Sequence, residues 1–223
     1  MWDQFILYMS DKREHILTVA EELFGEKGFD GTSVRDIAQN AGVNLAMISY
    51  YFGSKEKLLE YLIEYRANEA YGVLTDLNKD ESLGSWDKID RLVDYYVDKV
   101  LNNLRYHSIM YQQTISARSE EISKLIISIK LRNLEQIKKI ITDGQRKKIF
   151  RDVDIEMTVG TIMGSINSFA QSREYGCRIL DIDYSDENLF RITLAPRLKA
   201  HLKKLLRAHL DIKNEDRPPE AVH

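Results

Sequence analysis

Cysteine is nearly missing from this sequence: Cys177 is alone among 223 residues. One thiol excludes an internal disulfide framework and fits a reducing, cytosolic setting. It reads as a small apolar filler rather than a redox sensor. Proline (3) and glycine (11) are scarce, so little interrupts long helices. No run of 18 apolar residues occurs, and no membrane span is expected. The start, MWDQFILYMS, has a short apolar patch at Phe5–Met9 but no basic region before it, which makes a poor signal peptide. Residues 1–10 read as an N-terminal extension without a function of their own.

Positive charge is also short. The formal net charge is −3, and residues 1–57 carry six Lys and Arg against nine Asp and Glu. A nucleic-acid-binding protein usually shows a basic face. Composition therefore gives such a partner no support, and the placement of a few cations has to carry the case. Catalytic signatures are missing too: there is no His-Glu-x-x-His, Gly-x-Ser-x-Gly, P-loop or Gly-x-Gly-x-x-Gly. Histidines 15, 107, 201, 209 and 223 lack metal-ligand spacing, and the cysteine is not paired with them. No enzyme, metal site or cofactor is expected.

What is present is helix. Hydrophobic content of 43% with 30% charge is ordinary for a folded chain. Ile16, Leu17, Ala20, Leu23 and Phe24 form one stripe, with Ser10 or Asp11 able to cap its start and Gly28 its end. A short helix follows from Ser33 to Ala41, then Gly42, then a second from about Leu45 to Phe52. Gly53-Ser54 opens a longer one to about Leu77. Further helices are expected over about 85–104, 107–117, 119–149, 154–173 and 186–210. Pro196 would kink or restart the last of these. A linker is expected at Leu180–Ser185 and a disordered tail from Lys213 to His223. Strand-like alternation and internal repeats are missing.

The segment SVRDIAQNAGVNLAMISYYF, Ser33 to Phe52, is the informative one. Two short helices meet at a Gly-containing turn, and Ile37, Ala38, Gly42, Val43 and Ile48 are small or apolar on the inside. This is helix-turn-helix logic. The pattern Gly28-Phe29-x-Gly-Thr-Ser-Val-x-Asp-Ile-Ala, then Ala41-Gly42-Val43-Asn44, then Tyr50-Tyr51-Phe52-Gly53-Ser54-Lys55-Glu56-Lys57-Leu58, resembles the tetracycline-repressor (TetR) family over about Asp11–Tyr65. The rest resembles it only in length and helicity.

That resemblance implies an all-α fold. An N-terminal three-helix helix-turn-helix DNA-binding domain (11–57) would precede a C-terminal helical ligand-binding and dimerisation domain (58–212). It implies that residues 44–51 form the recognition helix, with Asn44, Leu45, Ala46, Met47 and Ser49 facing the major groove. Tyr50, Tyr51 and Lys55 would meet phosphates, and Thr32 and Ser33 would lie near the backbone. The chemistry agrees: hydroxyls and helix N-termini donate to phosphate oxygens, and apolar side chains touch thymine methyls. Ser49 departs from the family's common tyrosine. Two readings stand for Tyr50 and Tyr51, phosphate contact or core. Two stand for Arg35, phosphate contact or solvated helix charge. Phe52 reads as core.

The second half is rich in aromatic and methionine residues. Trp86, Tyr96, Met110, Tyr111, Met163 and Phe169 are candidates for an apolar ligand pocket, with Gln112 and Asn167 as polar ones. Such stripes are also ordinary core. A homodimer is expected because two recognition helices must reach successive major grooves of a pseudo-palindromic operator in double-stranded DNA. Gly160, Gly164 and Ser168 form a small-residue ridge, and Leu198, Leu202 and Leu205 an apolar stripe, for that interface. The alternative is that both pack only within one subunit. The reading is a cytoplasmic transcription regulator, a repressor released by an unknown small-molecule effector. Against it stand a regulator controlled by a partner protein or acting as an activator, and a helical adaptor.

Overall fold

The computed structural model describes residues 2–116, 119–183 and 187–212. The tail expected to be disordered, and Tyr184–Ser185 of the expected linker, lie outside them. Ten helices are present among the described residues: α1 (Trp2–Lys27), α2 (Val34–Asn40), α3 (Leu45–Phe52), α4 (Lys55–Lys79), α5 (Ser85–Asn102), α6 (Leu104–Ser116), α7 (Glu120–Arg146), α8 (Ile155–Gln171), α9 (Arg173–Leu180) and α10 (Glu187–Leu210). The described residues form no strand beyond an isolated bridge between Phe150 and Asp211.

Three helix bounds differ from expectation. α1 begins at Trp2, ahead of the Ser10 and Asp11 caps, because nothing between residues 2 and 10 breaks a helix. α9 is a separate helix over a stretch to which the sequence reading assigned no element, set off by a non-helical Ser172 (φ −119°, ψ 57°). α10 runs unbroken through Pro196. Pro196 is exposed, and so is Ile192 one turn earlier, whose carbonyl loses its helical partner on the wet side.

The helices form two compact units. Among the described residues, the first holds those up to 70 and those of 103–130, and the second holds those of 71–102 and from 131 on, so α4 and α7 each contribute to both. In the first unit, Ile16, Ala20 and Phe24 of α1, Ile37 of α2, Ile48 and Phe52 of α3 and Leu58–Ile63 of α4 close one core. Ile109 of α6 and Ile122, Ile126 and Ile129 of α7 belong to the same core. Arg66 donates to Glu21 at 2.8 Å and ties α4 to α1.

In the second unit α5 and α10 pack antiparallel. Leu92, Val93, Val97 and Val100 of α5 are buried, as are Leu194, Leu198, Leu202 and Leu206 of α10. Beside this seam runs a ladder with a four-residue step on both helices: Asp90–Arg207, Asp94–Lys203 and Asp98–Lys199, each 2.7 Å. Arg207 also lies 4.6 Å from the Trp86 ring centroid. Each exposed pair contributes under about 1 kcal/mol. Their regular spacing matches one register of the two helices.

Where α7 ends, Phe150 folds back on Gly144 and meets Trp86 edge-on at 4.7 Å. A Cβ on Gly144 would stand 2.1 Å from the Phe150 ring, so only glycine fits. Gly144→Ala is expected to destabilise the protein by about 1–3 kcal/mol through overpacking. Denaturant unfolding of the purified variant measures this, and an unchanged midpoint would mean that Phe150 moves aside freely.

Candidate nucleic-acid interface

The outward face of α2 and α3 is built from its caps. Ser33 caps α2: its Oγ accepts from the Asp36 N–H at 3.1 Å, while the Ser33 N–H donates to Asp36 Oδ2 at 2.9 Å. The Ser33 hydroxyl also donates to Asp36 Oδ2 at 2.6 Å, and that bond, with the smaller help of the Ser33 N–H, holds the Asp36 carboxyl below its ordinary pKa. A carboxyl with its pKa lowered on folding adds stability above its unfolded value. That contribution fades only as pH falls through the lowered value. Ala41 and Gly42 then turn the chain, with Gly42 at φ 62° and the Val43 N–H donating to the Ala38 carbonyl at 3.0 Å. Asn44 caps α3, its Oδ1 accepting from the Met47 N–H at 2.8 Å. Gly53 at φ 79° ends α3, and Ser54 caps α4 through the Lys57 N–H.

Periodicity then sorts α3. At about 100° per residue, Leu45, Ala46, Ser49 and Tyr50 fall within one arc of about 140°. All four are exposed, Tyr50 at 77% and Leu45 at 43%, whereas Ile48 and Phe52 are buried. Met47 and Tyr51 are half-buried outside that arc, Tyr51 on the opposite side of the helix, where it packs on the core and against Phe52. Asn44 and Arg35 are exposed. Leu45, Ala46, Ser49 and Tyr50 share the outward arc, and Phe52 lies in the core as expected.

Two of the residues singled out in the sequence are tied inward. Thr32 is 1% exposed, and its hydroxyl donates towards the carbonyls of Leu23 and Gly28 at 3.1 and 2.9 Å, closing the end of α1. Lys55 donates to the carbonyls of Phe29 and Thr32, both at 2.9 Å, and its ammonium lies 4.3 Å from the Phe29 ring centroid. Two of its three donors are therefore committed to the α1–α2 link. The sequence did not reveal this, because the partners are main-chain oxygens 23 and 26 residues away. Arg13, not singled out in the sequence, lies over the Tyr61 and Phe52 rings at 4.4 and 5.6 Å and braces α1 behind α3.

The ligand-pocket candidates do not converge. Tyr96 and Met163 line a cavity of about 40 Å³ in the second unit, with Ile89, Ile137, Ile162 and Leu206 among its walls. Trp86 instead packs on Phe150, and Phe169 lies beside Gly176 of α9. Asn167 is half-exposed. Met110, Tyr111 and Gln112 sit on α6 in the first unit, Met110 against its core and the other two exposed. Among the dimer candidates, Gly160, Gly164 and Ser168 are exposed along α8, and Leu205 borders an open groove with Met157 and Thr161. Leu198 and Leu202 are buried within the single chain. No cluster of three or more His, Cys, Asp or Glu suited to a metal is found among the described residues.

An all-helical chain presenting a capped, tight-turned helix pair of this kind belongs to the class of helix-turn-helix regulators. Residues 16–62 match the model of the bacterial regulatory proteins of the tetR family. Residues 82–171 match the tetracyclin repressor-like C-terminal domain. The chain is 30% identical over 185 residues to the HTH-type transcriptional repressor NicS of Pseudomonas putida, covering 78% of this chain and 83% of that protein. It is 53% identical over 51 residues to the "Probable HTH-type transcriptional regulator YttP" of Bacillus subtilis, but spans only 25% of that protein's length. The fold is shared with the TetR-family regulator PfmR of Thermus thermophilus, with a TM-score of 0.67 at 22% identity over 86% of this chain and 97% of that one. The chain belongs to the TetR family. Like its relatives, it is a DNA-binding transcriptional regulator and not an enzyme.

Lys55 and Tyr50 should separate structure from recognition. Lys55→Ala strips two carbonyls of a charged donor and is expected to cost about 1–3 kcal/mol of stability. Tyr50→Ala, at an exposed position, should leave the melting temperature within a degree or two. Equal thermal shifts in the two variants would contradict this division.

Proposed function

We propose that the protein is a cytoplasmic, homodimeric repressor that binds a pseudo-palindromic operator and leaves it when a small apolar or amphipathic molecule binds the second unit. The observation that carries this reading is the outward arc of α3, Leu45, Ala46, Ser49 and Tyr50, on a helix backed by buried Ile48 and Phe52. Asn44 begins that helix, and Ser33, Arg35 and Tyr51 would meet the phosphates beside the groove. Thr32 and Lys55 act from beneath, by holding the α1–α2 link. Lys55 keeps one donor for a phosphate.

The dimer is supported by the exposed ridge of α8. A Cβ on Gly160 or Gly164 would meet nothing within 4 Å. Mid-helix glycine costs about 0.5–1 kcal/mol against alanine, and nothing inside the protomer offsets that. A dimer that reads two half-sites needs its recognition helices one DNA turn apart, roughly 34–36 Å. In the release step, ligand binding shifts α4, which belongs to both units, and the half-site spacing changes. The ligand moves the equilibrium only by its differential affinity for the two states.

A second reading has a specific observation behind it. A cavity of about 40 Å³ is far smaller than the roughly 300–1,000 Å³ of small-molecule sites. An open groove of about 430 Å³ beside Met157, Thr161, Leu205 and His209 is large enough; otherwise the small cavity opens on binding, or control comes from a partner protein.

Binding to DNA from immediately upstream of its own coding region, at two salt concentrations, tests the regulator reading. Tight, selective and salt-sensitive binding is expected. Binding that is equal for unrelated DNA would count against it. If candidate ligands never change that affinity, the release step is wrong. Gly164→Leu is expected to yield a folded monomer by light scattering, with weakened operator binding. An intact dimer would move the interface elsewhere.

A further inference from the structure

The reading face of α3 is short of the groups that read guanine and adenine. Arg or Lys reads guanine in the major groove, and Asn or Gln reads adenine with both amide atoms. α3, Leu45–Phe52, contains none of these residues. Asn44 stands at its start, where its Oδ1 accepts from the Met47 N–H at 2.8 Å, so that oxygen is turned towards the helix end and only its second lone pair is left. A bidentate adenine contact needs that oxygen as well as Nδ2. Lys55 is committed to two carbonyls of the α1–α2 link. Arg35 is exposed on α2, and the first helix of such a pair crosses the DNA backbone rather than entering the groove.

What the arc does offer is hydrocarbon. The Leu45 side chain is 43% exposed at the first helical position, and the Ala46 methyl is exposed beside it. Other large apolar side chains of this chain are exposed too, Leu131 and Ile192 among them, but Leu45 and Ala46 stand on the outward arc of α3. In the major groove the apolar group available to it is the C5-methyl of thymine.

We infer that this protein selects its operator chiefly by thymine methyl groups, packed against Leu45 and Ala46, with the Ser49 hydroxyl as the adjoining polar contact. The inference rests on the DNA-binding reading above and names the chemistry of its half-site. That half-site carries A·T pairs opposite the first turn of α3, and no guanine is required there.

The test starts with selection of bound duplexes from a random double-stranded library. The selected duplex is then remade with deoxyuridine for thymidine in the half-site. This removes the methyl and leaves base pairing and hydrogen-bonding groups as they were. Wild-type affinity is expected to fall about fourfold for each contacted methyl lost. With Leu45→Ala, whose side chain lies outside the core, the deoxyuridine penalty at its own base pair is expected to vanish while other penalties stay. Selective binding that is the same within twofold on both duplexes would overturn thymine reading and leave the regulator reading standing. A selected half-site made of G·C pairs opposite α3 would do the same. If selection yields no preferred sequence, the regulator reading fails, and this inference fails with it.

Discussion

The placement of the reading helix depends on one junction, where the ammonium of Lys55 meets the turn between α1 and α2. The carbonyls of Phe29 and Thr32 both point at it, and the Phe29 ring lies beneath it. Thr32, buried, turns its hydroxyl back to the end of α1. α2 starts directly after this link and α4 starts directly at Lys55, so the junction closes the loop of chain that contains α2, the turn at Gly42 and α3. A charged donor on main-chain carbonyls is stronger than a neutral one and does not depend on side-chain packing. With both ends of the loop held, the burial of Ile37, Ile48 and Phe52 leaves α3 one face to show outward.

This also resolves the unfavourable charge balance. The N-terminal segment is acidic by count, yet its ion pairs and caps keep several charges away from the reading face. Glu21, for example, is paired with Arg66 between α1 and α4. α3 itself carries no charge. Repulsion from DNA depends on where the acids sit, and a neutral reading helix reaches base edges without the strong phosphate attraction of a basic one.

The second unit is organised by a different constraint, the matched four-residue step of α5 and α10. A leucine seam and an acid–base ladder share that step, so one register satisfies both. The seam uses Leu198 and Leu202 inside the protomer. The glycine-rich side of α8 stays exposed outside that seam, and Leu205 borders the open groove beside it. The small cavity near Tyr96 and Met163 is lined by side chains able to change rotamer, methionine above all.

Much of the first unit was legible in the chain alone. Local rules decide the caps at Ser33, Asn44 and Ser54, the left-handed glycines at 28, 42 and 53, and the buried period of Ile37, Ile48 and Phe52. Each involves residues within a turn or two of one another. The TetR motif, dense between Gly28 and Leu58, carried the family for the same reason. Tertiary structure alone decided the rest. The commitments of Lys55 and Thr32 are to main-chain oxygens, which no side-chain pattern reveals. Grouping α6 and the first half of α7 with the N-terminal helices depends on which apolar stripes meet, and stripes of Ile and Leu look alike wherever they pack. The same degeneracy hid the scatter of the ligand-pocket candidates and the burial of Leu198 and Leu202. Periodicity states that a face is apolar, and only the three-dimensional packing states what covers it.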